Sequence, residues 1–527
     1  MSALPKTAFI DPTGKNRAAV EALLHQAVAL LVEEMTQAQQ RSPLPEAIAS
    51  QQFTQWAKIP EQSVDATVLL DEVRSHLTGS MNAAHPGYIG HMDSIPTTLS
   101  IVGDLLVGAL NNNMLSVEMS PVFSRLEPQV LKQIAARFGL GPDSGGVLVS
   151  GGSLANLQAL TVARNQAFDA LENGVVSLGK QPVFFVSEVA HTSMKKAAMM
   201  MGLGTKAAIA LRTNANSQVE IADLEAKLAQ AEVNGQQPFA IVATAGTTVT
   251  GNVDPIAEMA AIAQAHQLWF HVDAAYGGAV IFSETHRSLL SGIQHANSIT
   301  FNPQKWLYVT KTCATILFKQ FDVLKQHFRI LAPYMNDDAQ WPNIGELTVQ
   351  GTRHPDILKL WLSLQHLGTA GYREIIHGSY KLTSQFVAAV QARPYLQLAS
   401  QPQMNVVCFR LAPADTDVAR QDQLNAKLQH YLLTAELLTA ELATAELATA
   451  ELATDAGTLF GKQVDESFSS DRDAVFLSLP IYRHRRWLKA VLLNPYTQPA
   501  TIEALFRKVD AFVTTISVAN LSVKNNS

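Results

Sequence analysis

The chain is 527 residues long, with 47% hydrophobic residues, 16% charged residues and a formal net charge of −6 at pH 7. This composition excludes a disordered protein, and the length predicts two or three domains, one of them large. The acidic balance, without a long basic run, argues against nucleic acid as a partner.

The first predicted element is an amphipathic helix over residues 15–40. Its apolar residues recur at three- and four-residue steps, which is the spacing of a helix with one apolar face; they are Val20, Leu23, Leu24, Ala27, Leu30, Leu31 and Met35. Such a helix must bury that face against the main body or a second subunit, so we expect residues 1–110 to form an N-terminal helical segment that makes a dimer. No signal-like segment precedes it and no apolar run is long enough to span a membrane, so we expect a cytoplasmic protein with no membrane partner.

Short apolar runs then alternate with helical patterns over residues 111–390, the expected large domain. The predicted strands cover residues 146–149, 182–187, 239–244, 268–272 and 298–301. Short apolar strands separated by single helices imply a mostly parallel sheet covered on both faces. Asp254 and Pro255 predict a helix start, with the acid as N-cap and the proline at the first helical position.

Residues 391–527 predict a smaller α+β domain, with strands at 405–410 and 490–493 and a helix over 501–513. A Thr-Ala-Glu-Leu motif that recurs every five residues occupies residues 433–454 of this domain. Its residues favour helix, but each five-residue step moves the leucine by about 140° around the axis, so no face stays apolar. We interpret the repeat as a surface insertion without a functional role. The chain has two cysteines, which excludes a disulfide framework and a four-cysteine zinc site.

Polar residues follow the predicted strands at the point where each strand ends. Residues 150–153, His191, residues 247–248 and Asp273 all lie at such positions, and Lys305 follows the strand at 298–301. Ligands of open parallel sheets bind beyond the carboxyl ends of the strands. We therefore expect these groups to meet in one site.

Pyridoxal phosphate requires four kinds of group from a protein, and this set contains all of them. Lys305 offers an amine for a Schiff base, provided that burial or a neighbouring charge lowers its pKa. Asp273 offers a carboxylate that keeps the ring nitrogen protonated, and His191 offers a ring to stack on it. Gly152 and Ser153 offer phosphate donors at a helix N-terminus. Taken singly, each residue has a plainer explanation, such as a helix cap, a turn, a structural histidine or a lysine packed along apolar surface.

Three segments resemble those of the group II pyridoxal-phosphate-dependent amino-acid decarboxylases. They are Ser-Gly-Gly-Ser-Leu-Ala-Asn-Leu at 150–157, His-Val-Asp-Ala-Ala-Tyr-Gly-Gly at 271–278 and Asn-Pro-Gln-Lys-Trp-Leu at 302–307. That family includes the aromatic-amino-acid, glutamate, cysteine-sulfinate and histidine enzymes, and the resemblance extends from about His85 to Pro495. It implies the α/β aspartate-aminotransferase fold (fold type I of this cofactor's enzymes), and a homodimer with sites at the subunit interface.

The resemblance also implies roles for individual residues. Lys305 would be the Schiff-base lysine, Asp273 the partner of the ring nitrogen and His191 the stacking ring. Tyr334, in a polar loop with Asn336, Asp337 and Asp338, would protonate the α-carbon after CO2 leaves. The remaining implied cofactor contacts are Gly152, Ser153, Thr248, Ala275, Ser298, Asn302 and Gln304, and Ser94 would lie near the substrate.

Two residues depart from the family pattern. Gln304 stands where the family usually has histidine, and glutamine can hydrogen-bond but cannot titrate near neutral pH. Lys489 stands where the glutamate enzymes have arginine, and a lysine would hold a carboxylate as a point charge without two-pronged geometry. Arg353 is a further candidate for contact with the substrate or the phosphate, with a salt bridge to Asp356 as the alternative.

These residues predict a carboxy-lyase that converts an L-amino acid, a small-molecule substrate, to its amine and CO2 with pyridoxal 5'-phosphate. Three rival reactions share the cofactor: aldehyde-forming oxidative deamination, aldol cleavage and transamination. A further alternative is a non-enzymatic scaffold that keeps the fold. Aromatic, acidic and diamino acids all remain open as substrates.

Overall fold

The computed structural model describes residues 4–45, 48–332, 335, 341–414, 416–434 and 473–524, without the side chains of residues 517–524. The chain forms two compact units, each built from separate stretches. The first comprises residues 1–91, 415–479 and 496–527, and the second comprises residues 92–414 and 480–495. The division into three domains expected from the sequence, residues 1–110, 111–390 and 391–527, stays a prediction.

The α-helices are numbered in chain order. They are α1 (Arg17–Thr36), α2 (Ser50–Trp56), α3 (Ala66–Thr78), α4 (Thr98–Leu110), α5 (Phe123–Arg137), α6 (Gly152–Phe168), α7 (Ala170–Asn173), α8 (Ser193–Met200), α9 (Ile221–Val233), α10 (Ile256–Ala265), α11 (Val323–His327), α12 (Ile357–Gln391), α13 (Val418–Thr434) and α14 (Pro499–Lys524). Helix α12 contains one non-helical residue, Gly368, with φ 60°.

A seven-stranded sheet forms the centre of the second unit. Its strands are β1 (Gly145–Val149), β2 (Pro182–Ser187), β3 (Ala208–Leu211), β4 (Gln237–Thr244), β5 (Trp269–Asp273), β6 (Ser298–Phe301) and β7 (Ala314–Phe318). The order is β1-β7-β6-β5-β4-β2-β3, and only β7 runs antiparallel to its neighbours. Every residue of β1, β2, β5, β6 and β7 is buried, as expected for strands covered on both faces. The predicted α/β class with a mostly parallel sheet is confirmed.

The second unit also contains a smaller antiparallel sheet. It consists of β8 (Leu396–Leu398), β9 (Val406–Leu411) and β12 (Leu488–Val491), with β9 in the middle. A short hairpin, β10 (Ile481–Tyr482) with β11 (Arg485–Arg486), precedes β12. The predicted strands at 405–410 and 490–493 correspond to β9 and β12, the second displaced by two residues.

The first unit contains the predicted N-terminal helix as α1. Only two of its apolar residues, Val20 and Leu30, are buried, whereas Leu24, Val28 and Met35 are exposed. Most of the Thr-Ala-Glu-Leu repeat, residues 435–454, lies outside the described residues. Within the described part of the chain, no helix combines the length and the apolar character needed to cross a membrane.

The role predicted for Asp254 at the start of α10 is wrong. Its carboxylate accepts hydrogen bonds from the backbone N–H groups of Val219 (2.9 Å) and Thr244 (2.7 Å), and α10 begins at Ile256 after Pro255. Asp254 is buried. Its two backbone donors belong to the end of β4 and to the segment before α9, so the carboxylate links these two parts of the chain. Sequence spacing alone could not reveal these distant partners.

Candidate active site

A cavity of about 430 Å³ lies at the carboxyl edge of the seven-stranded sheet. It is lined by residues 150–154, Asn156, His191, Thr244, Gly246, Thr248, Asp273, Ala275, Tyr276, Asn302, Gln304 and Lys305. Nine of the ten predicted cofactor contacts are in this set: Gly152, Ser153, His191, Thr248, Asp273, Ala275, Asn302, Gln304 and Lys305. The volume is within the usual range of small-molecule sites.

Lys305 reaches the cavity from the turn after β6. Its backbone N–H donates to the carbonyl of Asn302, and its own carbonyl accepts from Ser94 Oγ at 3.2 Å. Burial lowers the pKa of the Lys305 amine below its ordinary value, although the charges of Asp273 and Asp93 oppose this. A lowered pKa increases the fraction of free amine, which is the nucleophilic form.

Asp273 is the last residue of β5 and is buried. Its Oδ1 accepts from the backbone N–H of Ala275 (3.1 Å), and its Oδ2 accepts from Asn156 Nδ2 (2.9 Å). Both bonds hold the carboxylate in a fixed orientation at the end of the strand. The strand end therefore presents a negative charge to the cavity.

His191 lies four residues beyond β2, just before α8. Its Nδ1 accepts from the backbone N–H of Ser193 at 3.2 Å, so the remaining ring hydrogen belongs on Nε2. Partial desolvation lowers the pKa of His191, opposed by Asp273 and reinforced by Lys305 and Lys196. The ring is therefore neutral at pH 7 and suited to stacking.

The cavity wall also offers groups that fit a phosphate. Helix α6 begins at Gly152, where its first backbone N–H groups have no partner within the helix. A Cβ on Gly152 would approach Asn302 Nδ2 to 2.8 Å, so only glycine leaves this space open. Asn302 Oδ1 is buried without a hydrogen-bond partner and can only accept, so the Nδ2 group of the same amide is the one that can donate to a phosphate. Together with the Lys305 amine and the Asp273 carboxylate, these hydrogen-bond donors fit pyridoxal phosphate.

Gln304 and Thr248 complete the cavity wall. Gln304 Oε1 accepts from the backbone N–H of Cys313 at 2.6 Å, which fixes the side-chain amide. Thr248 has an exposed side chain in the loop after β4. That loop turns at Gly246, whose φ is 97° and where a Cβ would approach Met404 Sδ to 2.9 Å.

Ser298 is the one predicted cofactor contact that the structure does not bring to the cavity. It is the first residue of β6, so it lies at the amino end of a strand whose carboxyl end holds the site. Its fully buried hydroxyl contacts the rings of Trp269 and His271, each at 2.8 Å. The predicted phosphate contact is therefore wrong for this residue.

Arg353 does not line the cavity either. It forms a buried two-pronged ion pair with Glu127, with distances of 2.9 and 2.6 Å. The predicted salt bridge to Asp356 is also wrong, because that carboxylate pairs with Lys359 at 3.0 Å. Glu127 lies on α5, more than two hundred residues away in sequence, and no local pattern indicates this pairing.

Lys489 on β12 lies beside the cavity wall. It is buried, and its Nζ is 3.4 Å from the carbonyl oxygen of Thr248. Burial lowers the pKa of Lys489; the positive charge of Lys305 lowers it further, whereas Cys408 and Asp93 raise it. Tyr334, together with Asn336, Asp337 and Asp338, lies outside the described residues.

Sequence reasoning missed several cavity residues. Asn156 belongs to the motif at residues 150–157, but no role was predicted for it. It lies one turn into α6 and so faces the same side as Gly152. Tyr276 and Thr244 also line the cavity. Tyr276 is almost fully buried and bonds to Asn405 Oδ1 at 2.6 Å, a contact between distant segments that sequence alone does not reveal.

Comparison with known proteins gives a consistent result. Residues 50–412 match the pyridoxal-dependent decarboxylase conserved domain. The cysteine sulfinic acid decarboxylase of Mus musculus is 32% identical over 412 residues, which are 75% of this chain and 82% of the mouse protein. The Homo sapiens protein of the same name is 31% identical over the same length.

Solved structures support the same fold. The crystal structure of mouse CSAD in apo form has a TM-score of 0.81 at 27% identity and covers 94% of this chain and 99% of the mouse chain. That of Oryza sativa TDC with PLP and tryptamine has a TM-score of 0.83 at 21% identity and covers 96% of this chain and 100% of the rice chain. This chain belongs to the pyridoxal-dependent decarboxylase family and is an enzyme that uses pyridoxal phosphate to convert an amino acid to its amine and CO2.

Proposed function

We propose that this decarboxylase acts on an L-amino acid whose side chain carries an acidic group, and that Lys489 binds that group. The observation that carries the proposal is a buried cation beside the cavity, with its Nζ 3.4 Å from Thr248 and close enough to Lys305 for their charges to interact. The relatives at 31–32% identity are named cysteine sulfinic acid decarboxylases, and cysteine sulfinate has an acidic side chain.

A cation at this position is better suited to bind the side-chain acid, which stays on the product, than the α-carboxylate, which leaves as CO2. Pairing the leaving carboxylate with Lys489 would stabilise the substrate more than the transition state, because its charge moves away as CO2 forms. Pairing the side-chain acid stabilises both states and selects the substrate. Lys489 therefore acts in binding and specificity.

The cofactor, when bound, withdraws electrons from the bonds at the α-carbon of the amino acid. Lys305 would hold its aldehyde carbon through the amine, and Asp273 would hold the proton of its ring nitrogen. His191 would cover one face of the ring. Gly152 and Asn302 would bind its phosphate, with the N-terminal end of α6. The positions of these residues in the cavity and the family resemblance both support these roles.

Tyr334 would return a proton to the α-carbon after CO2 leaves. This role rests on the resemblance, in which the matching tyrosine of a loop donates that proton. It favours simple decarboxylation over aldehyde-forming deamination, because a proton delivered promptly leaves less time for oxygen to react.

A substrate panel tests the proposed acid specificity. We expect kcat/KM for aspartate, glutamate or cysteine sulfinate to exceed the values for tryptophan, tyrosine and 2,4-diaminobutyrate, with the amine identified by mass. Lys489→Met should raise KM for the preferred acid by roughly tenfold or more, as expected from loss of a buried charge-assisted contact, and Lys489→Arg should retain most of the affinity. A preference for an aromatic or diamino acid would overturn the assignment, as would an unchanged KM in Lys489→Met.

We also propose that the enzyme is a homodimer. Helix α4 exposes Val102, Leu105, Leu106 and Leu110, with exposed fractions of 39–55%. An apolar row of this kind is typical of a surface covered by another chain. The cytoplasmic location stays a prediction.

Analytical ultracentrifugation tests the dimer. Leu105→Glu should shift the protein toward the monomer, because it places a charge in the proposed interface. Val176→Glu is the matched control, since Val176 is 98% exposed and lies between α7 and β2 rather than on α4. A monomeric wild-type protein would contradict the proposal.

A further inference from the structure

A buried line of hydrogen bonds reaches Asp273 from behind the cavity. Trp269 Nε1 contacts Ser298 Oγ at 2.8 Å, and the same oxygen contacts His271 Nδ1 at 2.8 Å. His271 Nε2 contacts Asn156 Oδ1 at 3.1 Å, and Asn156 Nδ2 reaches Asp273 at 2.9 Å. We call these five residues the relay. Together they connect β5, β6 and α6 through buried side chains.

The chemistry of the two ends fixes the direction of every hydrogen bond between them. At one end the indole of Trp269 can only donate, so Ser298 Oγ accepts from it and its hydroxyl hydrogen is free for His271 Nδ1. At the other end the carboxylate of Asp273 can only accept, so Asn156 turns its NH2 group toward it. The carbonyl oxygen of Asn156 then faces His271 Nε2, which must carry the ring hydrogen.

Two further observations agree with this direction. Thr300 Oγ1 donates to Asn156 Oδ1 at 2.7 Å, as it must if that atom is the oxygen. His271 is fully buried, and burial lowers its pKa to about 4, so the ring is neutral at pH 7. A protonated ring would place a second hydrogen on Nδ1, against the hydroxyl hydrogen of Ser298.

We propose that Ser298, His271 and Asn156 are positioning residues that keep His271 as the neutral Nε2–H tautomer and hold Asp273 as an oriented anion for the cofactor ring nitrogen. Each hydrogen of the relay points toward Asp273, so the aligned dipoles stabilise its negative charge. The inference rests on the proposed role of Asp273. It also gives Ser298 a function at a distance from the cofactor, in place of the phosphate contact suggested by resemblance.

The test begins with the tautomer. Among the fifteen histidines of 15N-histidine-labelled holoenzyme, one neutral ring with its hydrogen on Nε2 should be assigned to His271 by the loss of its signal in His271→Gln. In Ser298→Ala the Nδ1 atom loses its donor, so its 15N shift should move toward that of a free acceptor. A protonated ring at pH 7, or an Nδ1–H tautomer, would overturn the proposal.

The second measurement is cofactor binding and its absorbance spectrum. Ser298→Ala removes the bond from Trp269 and the bond to His271, and loss of the second should weaken binding of pyridoxal phosphate by about 3- to 10-fold. It should also shift the pH at which the lysine-bound cofactor changes colour. Ser298→Thr keeps the hydroxyl and should restore both values. Thr315→Val is the control, because it removes a buried hydroxyl on β7 that bonds to the carbonyl of Phe301 outside the relay.

Asp273→Asn distinguishes the proposed relay from the proposed role of Asp273 toward the cofactor ring nitrogen. If this variant and Ser298→Ala both change the spectrum while Thr315→Val does not, the relay is supported. If Asp273→Asn changes it and Ser298→Ala behaves like Thr315→Val, the relay is wrong and the role of Asp273 stands. If Asp273→Asn also leaves binding and spectrum unchanged, the proposed role of Asp273 fails.

Discussion

Replacing Arg353 by methionine should destabilise the second unit rather than impair substrate binding. The guanidinium and the Glu127 carboxylate form two contacts of 2.9 and 2.6 Å, with exposed side-chain fractions of 4% and 0%. Glu127 Oε1 also accepts from the backbone N–H of Leu148 on β1 at 3.0 Å. The pair therefore joins α5, β1 and the segment before α12.

The size of the effect follows from burial. Removing the arginine leaves a carboxylate in the interior with a single backbone donor, and breaking one side of a buried pair costs about 3–5 kcal/mol. Arg353→Met combined with Glu127→Gln should recover much of this, since the glutamine oxygen can still accept from Leu148 without a buried charge. Arg373→Met is the control, because its ion pair with Glu284 is exposed and worth at most about 1 kcal/mol.

Urea unfolding followed by circular dichroism measures the loss, and steady-state kinetics on the same preparations measures KM. We expect a lower unfolding midpoint for Arg353→Met and an unchanged KM in the protein that remains folded. A wild-type midpoint with a raised KM would refute this reasoning and return Arg353 to the substrate site.

Four other predictions concern the site. Lys305→Ala should abolish amine formation and the absorbance of the lysine-bound cofactor, so retention of either would contradict its role. Tyr334→Phe should slow amine release and divert product to aldehyde and ammonia when oxygen is present; a normal amine yield would count against the proton donor. Gln304→His should introduce a titrating group near the cofactor, visible as a new inflection in the pH profile of kcat, and an unaltered profile would argue against contact. The pKa of His271 is about 4 in the folded protein and about 6.5 in the unfolded chain. The neutral buried ring therefore contributes ~3 kcal/mol of stability that is present above pH 6.5 and lost as the pH falls through 4. Equal acid sensitivity of wild type and His271→Gln in thermal unfolding would disprove this contribution.

The sheet was largely predictable because its strands are short, apolar and separated by helices. The predicted strands at 182–187 and 298–301 match β2 and β6 exactly in extent, and three others agree within two residues. Strands β3 and β7 were not predicted. Strand β7 is antiparallel and follows Lys305 after only a short connection, so it does not continue the alternation of strand and helix that identified the others.

Sequence alone predicted those site residues that lie directly after a strand, because their position in the sheet follows from the strand pattern. Asp273 and His191 could be placed in this way because the carboxyl ends of parallel strands share one edge. Ser298 and Arg353 could not, since their partners Trp269, His271 and Glu127 are set by packing between distant segments. Family resemblance carried Ser298 to the wrong contact for the same reason.

The small antiparallel sheet has a consequence for how the protein is made. Strand β9 ends at Leu411, whereas β12, which brings Lys489, begins at Leu488, 77 residues later (488 − 411). At about 5–20 residues per second a ribosome needs roughly 4–15 s for that stretch. Throughout this interval β9 has no partner along the edge that β12 will occupy, and an unpaired edge invites pairing with other chains. Lys489, the proposed substrate-binding lysine, thus joins a nascent chain whose β9 edge stays open until β12 pairs with it.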